Sequence, residues 1–130
     1  DMIERLQGFP DTVVAISARG YVTRSDYERV LIPQVKQALD RHGKIRCYYE
    51  LGADFSGFEP GAAWEDFKLA LEYLSRWERI VVVTDVDWIR LAINTFRFLV
   101  PGEIKVFATT QSAEAREWIS AIPGSAPSSA

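Results

Sequence analysis

A chain of 130 residues, 48% hydrophobic, 12% aromatic and 25% charged, has the composition of one folded domain able to bury a core without staples. A formal net charge of -3 and a pI near 5.2 argue against a general nucleic-acid binder, which needs a basic face to neutralise phosphates. One cysteine, Cys47, and one histidine, His42, exclude an internal disulfide and a usual structural zinc site.

The opening MIERL alternates, and TVVAISARG is rich in β-branched residues, with Gly8, Pro10 and Asp11 between them. That pattern predicts two strands joined by a tight turn. Thr23, Ser25 or Asp26 can cap a helix running to about His42, with Pro33 forcing a kink or local readjustment and Gly43 ending it. IRCYYEL reads as a strand and GADFSGFEPG as a loop. Helical spacing returns from Pro60 to Trp77 through Trp64, Phe67, Leu71 and Leu74.

The continuous apolar run IVVVT has the character of a central parallel strand covered on both faces. Asp85 or Asp87 can cap the next helix, which Pro101-Gly102 stops, and EIKVFA then reads as a strand. SAEAREWISAI is a last amphipathic helix with Ser112 as its cap. The order predicts a single α/β domain over residues 2–122, with a mostly parallel, mixed sheet of about five strands and about four flanking helices. Residues 123–130, PGSAPSSA, read as a disordered tail. No apolar run is long enough to span a bilayer, and a cytoplasmic location is the default expectation.

Open α/β sheets bind ligands beyond the carboxyl ends of their parallel strands. The two segments expected there, GADFSGFEPG and TDVDW, offer Asp54, Ser56, Glu59, Thr84, Asp85 and Asp87. Capping and turn formation account for most of these side chains; a protein-partner contact is the functional alternative. A metal-assisted hydrolase using Asp54, Asp85 and Asp87 is a weaker alternative, since no spacing specifies a metal site. Cys47 reads as a small buried hydrophobe and His42 as a helix-end residue, so neither is a candidate catalytic group. Neither GxxxxGK[ST] nor GxGxxG occurs, and no cofactor is expected.

The stretch WIRLAINTFRFLV, residues 88–100, is too apolar for a helix with one buried stripe. Ile89, Ala92, Ile93, Phe96 and Val100 can face a sheet, which leaves Trp88, Leu91, Thr95 and Phe98 over, beside a stripe of Arg90, Asn94 and Arg97. Burial inside the domain or in a homodimer explains the pattern. So does an interfacial helix that meets an anionic lipid surface or a hydrophobic small molecule, with Trp64, Phe67 and Leu71 of the preceding helix contributing.

MIERLQGFPD, DYERVLIPQVKQALDRHGKIR, ELGADFSGFEPGAAWEDFK and ERIVVVTDVDWIRLAINTFRFLVPGEIKVF together resemble the SpoIIAA-like protein family, whose members have an STAS-like fold. The resemblance covers Met2 to about Ile122 and is most distinctive in FxGFxPGAAWED and VVTDVxWIR. It implies a non-enzymatic binding or regulatory module, as in anti-sigma-factor antagonists and the cytoplasmic domains of sulfate transporters. Membrane association or carriage of an apolar ligand is compatible with it. The antagonist relatives carry a phosphorylatable serine in a DSSG-type motif at the start of the helix after the third strand. Here that region reads DFSGFEPG, with Ser56 the nearest candidate, and the negative charge of Asp54 and Glu59 argues against a phosphoswitch there.

Overall fold

The computed structural model describes residues 3–61, 68, 72–99 and 102–121. Five strands form one sheet in the order β1 (Ile3–Arg5), β2 (Val13–Val22), β3 (Ile45–Phe58), β4 (Trp77–Thr84) and β5 (Glu103–Phe107). β1 runs antiparallel to β2, and the other three pairings are parallel. The connection between β1 and β2 spans residues 6–12, longer than the tight turn expected, and Gly8, with φ of 88°, supplies left-handed backbone within it.

The two-residue period of the strands builds two cores. Val14, Ile16 and Ala18 of β2 and Cys47, Tyr49 and Leu51 of β3 point to one face, where Tyr27, Leu31, Val35 and Ile89 cover them. Val13 and Ala15, Tyr48, and Val81 and Val83 point to the other, where Ala115 and Ile119 pack with Phe9 at the margin. The continuous IVVVT run is therefore divided between two cores, as its lack of polar alternation requires. Burial, reinforced by the neighbouring Glu50 carboxylate, pushes the Tyr48 phenol up to about 12.

Thr23 caps α1 (Arg24–Asp26) in a reciprocal capping box with Asp26. A π-helical segment, Tyr27–Leu31, follows and leads into α2 (Ile32–Arg41). There the Ile32 amide bonds the Tyr27 carbonyl, five residues back, immediately before Pro33, which has no amide hydrogen to donate. The readjustment expected at Pro33 is a widened turn. Gly43 does not end α2 in a left-handed conformation: His42 is the extended C-cap, and the Arg76 guanidinium binds the carbonyls of Leu39, His42 and Gly43.

Two longer expectations are corrected. Residues 52–58 are strand, because β2 continues to Val22 and pairs Gly20 with Phe55, Tyr21 with Gly57 and Val22 with Phe58. Register shifts around Gly20 absorb the irregularity, while Phe55 and Phe58 pack on the core, so pairing and burial override the loop-like Gly, Asp and Ser content. Trp77, expected to close a helix, instead opens β4 and is buried. Among the described residues three helices reach nine or ten residues: α2, α3 (Asp87–Phe96) and α4 (Ser112–Ser120). Much of the fourth expected helix, 60–77, lies outside the described residues, as does the 123–130 tail.

The second face is closed by charge as well as by apolar contact. Arg46, only 5% exposed, pairs with Glu78 at 2.8 Å and donates to the carbonyls of Ile119 and Ala121 at the end of α4. Arg79 donates to the Trp118 carbonyl at 2.9 Å. The carbonyls that a helix C-terminus leaves unpaired are thus bound by cations rooted in the two central strands. α4 begins one residue earlier than its expected cap allows: Gln111 is the N-cap, and Ser112 is the first helical residue. No helix among the described residues is long and apolar enough to cross a membrane.

Candidate functional site

The carboxyl ends of the parallel strands gather Val22, Phe58, Thr84 and Phe107 at one end of the sheet. β3 runs seven residues past Leu51, the last of its residues to pair with β4, so β2 and β3 continue as a two-stranded ribbon. At the end of that ribbon Phe58 meets Trp88 edge to face, with ring centroids 6.2 Å apart, while Tyr27 stacks on Phe58 and Phe55 packs against it at a tilt. An aromatic chain thereby connects the core to the first turn of α3.

α3 buries Ile89 and half-buries Ala92 and Ile93 against the sheet. Trp88, Leu91 and Phe98 are 57%, 70% and 78% exposed, and Thr95 is exposed between them. These residues recur at three- and four-residue spacing, so they form one apolar line along the outer side of α3 and the 3₁₀ turn that follows, Arg97–Leu99. The Thr95 hydroxyl donates to the Leu91 carbonyl at 2.8 Å, which removes a polar interruption from the line. Tyr21, on the β2–β3 ribbon, is 48% exposed.

The arginine stripe divides. Arg90 is half-buried and donates to the Thr84 carbonyl at 3.0 Å, tying α3 to the end of β4, whereas Asn94 and Arg97 are exposed. Trp64, Phe67 and Leu71 lie outside the described residues.

The polar candidates do not converge. Asp54 is exposed on the ribbon, 3.9 Å from Arg19, and Ser56 is exposed two residues on, within the strand and not at a helix start. Glu59 accepts from the Arg24 amide at 2.8 Å, so it serves the beginning of α1. Asp85 accepts from the Thr109 amide at 3.0 Å and hydroxyl at 2.6 Å. Those two bonds, hydroxyl first, hold its carboxyl below the usual range, with a smaller contribution from the Arg90 charge. Neither Asp85 nor Asp87 caps α3: Val86 is the N-cap without a side-chain bond, its amide donating to the Thr84 hydroxyl, and Asp87 is exposed in the first turn. Cys47 is buried in the first core. Among the described residues no three His, Cys, Asp or Glu side chains are grouped to hold a metal ion.

Three contributors to this end of the molecule escaped sequence reasoning. Phe58 and Tyr21 were hidden because the ribbon read as a loop, and Thr109 because its bond to Asp85 joins residues 24 apart.

The profile of the SpoIIAA-like family matches residues 13–120. A crystal structure of an uncharacterised protein from the DUF3478 family with a SpoIIAA-like fold, from Shewanella loihica PV-4, is similar over 90% of this chain and 91% of its own, at 25% identity and a TM-score of 0.71. No curated protein matches the sequence significantly. The mixed five-stranded sheet and the span of the profile agree, and the chain belongs to the SpoIIAA-like family.

Proposed function

We propose that this protein is a non-enzymatic binding and regulatory module that docks on a lipid surface through the outer side of α3. The observation that carries the reading is the line Trp88, Leu91 and Phe98, three large apolar side chains left in water along one helix side. Covering them fully would contribute roughly 1.5–3 kcal/mol each before ordering costs. The outer side of a surface helix is convex, which suits a membrane interface better than an enclosed small ligand. Arg97, exposed beside Phe98, is the cation placed to meet lipid phosphate, since Arg90 is engaged with Thr84. In this reading the protein works in the cytoplasm, peripheral to the inner face of the membrane. Metal-assisted hydrolysis has less support, because Asp54 faces Arg19 and Asp85 is tied to Thr109.

Co-sedimentation with neutral and anionic vesicles tests the reading, with Leu91→Glu and Phe98→Glu as variants. Binding to anionic vesicles that both variants abolish and Arg97→Glu weakens is the expected result; absence of binding to either vesicle type would end it.

A second reading, a regulatory protein partner contacting the 52–61 and 84–88 segments, is favoured by Asp85 and Asp87. These exposed carboxylates flank the Trp88 end of the line and would be repelled by anionic lipid. A complex recovered from native extract and lost in Trp88→Ala, without any vesicle binding, would select it.

A further inference from the structure

At the opposite end of the sheet, the β1–β2 connection and α2 line a half-open cavity of about 180 Å³. Arg5 follows Ile3 on the strand face that looks toward α2, because Ile3 is buried in the first core and side chains two apart share a face. Gln34, Ala38 and Arg41 recur at helical spacing along α2 and line the cavity from the other side. Arg5 and Arg41 are exposed and make no ion pair among the described residues. Gln34 lines the cavity, and its Oε1 atom is shut off from water with no hydrogen-bond partner, so the amide is a polar group that a ligand reaches once the side chain turns. Asp11 on the turn adds one carboxylate, which repels a bare anion and accepts from a hydroxyl.

We propose that this cavity binds a small hydroxylated oxyanion, its carboxylate or phosphate held between the Arg5 and Arg41 guanidiniums and its hydroxyls bonded to Gln34 and Asp11. Two planar guanidinium forks from different elements match the paired oxygens of a carboxylate or a phosphate. The volume falls below the roughly 300–1,000 Å³ typical of sites for drug-sized ligands, which restricts the occupant to a small molecule. The site stands apart from α3 and does not depend on the docking reading.

The test is a nitrogen-15 NMR titration of the full chain with citrate, glucose 6-phosphate and inorganic phosphate, repeated on Arg5→Gln, Arg41→Gln and Gln34→Leu. The expected result is saturable shifts confined to residues 5–14 and 34–41 with citrate or glucose 6-phosphate. Each arginine variant weakens binding at least tenfold while its remaining spectrum stays native. Citrate selectivity would assign a carboxylate, and glucose 6-phosphate selectivity a phosphate. No shifts with any probe at 10 mM, shifts unchanged in both arginine variants, or inorganic phosphate binding as well as the organic probes in wild type and Gln34→Leu alike would overturn the proposal.

Discussion

Asp85 accepts both the backbone amide and the hydroxyl of Thr109, so a single carboxylate at the end of β4 holds the turn that leaves β5. Its folded-state titration lies below the ordinary 3.8. A carboxylate with a depressed folded value stabilises above its unfolded value and loses that contribution as pH falls through the folded one. Asp85→Asn is therefore expected to lower the melting temperature at pH 7, with the gap from wild type narrowing below about pH 3.8. Paired melts at pH 7 and pH 2.5 check this, and a gap independent of pH would contradict it.

Arg46 is the residue whose loss should cost most on the second face. Arg46→Leu leaves the Ile119 and Ala121 carbonyls without their cation and Glu78 without its partner. Loss of about 3 kcal/mol in urea unfolding is expected, in the range for breaking a buried pair from one side. Glu78→Gln should cost less, because its side chain is 35% exposed and can be hydrated.

The two sides of α3 should respond oppositely to substitution. Ile89→Ala removes a buried side chain and is expected to cost about 2–5 kcal/mol. Leu91→Ser, at a position 70% exposed, should stay within about 0.5 kcal/mol. Denaturant midpoints for the pair decide whether the outer side of α3 is dispensable for folding, as a docking surface must be.

Gly102 sits where β5 begins beside β4. A Cβ there would overlap the Trp77 carbonyl oxygen and approach the Glu78 carbonyl oxygen to 2.7 Å, both backbone atoms that cannot swing aside. Gly102→Ala is expected to destabilise by about 2–3 kcal/mol despite the small change, as overpacking does. A midpoint equal to wild type would show that β5 can shift at little cost.

What could be read from the residues depended on how local the determining interactions are. The strand beginning at Val13, the central run ending at Thr84 and a helix cap among Thr23, Ser25 and Asp26 are set by side chains within a few positions, and each was legible. The excess apolar side of α3 was legible too, because the sheet can cover only one side of a helix and Trp88, Leu91 and Phe98 had no place on it. The ribbon through Phe58 was not, since its strand character comes from pairing with Gly20 to Val22, more than thirty positions away. Long separations likewise concealed the Arg76 contacts that finish α2, up to 37 positions apart, and the Thr109 bond that turns Asp85 from a helix cap into a turn clasp, 24 apart.

The placement of α4 has a consequence for how the chain is made. Ala115 and Ile119 cover one core of the sheet, and they are among the last described residues to leave the ribosome. Until they emerge, Val13, Ala15, Tyr48, Val81 and Val83 lack that cover. The nascent sheet therefore passes through a one-sided state whose apolar face is open to chaperones or to another nascent chain. The late arrival of nine helical residues, Ser112–Ser120, is what closes that interval.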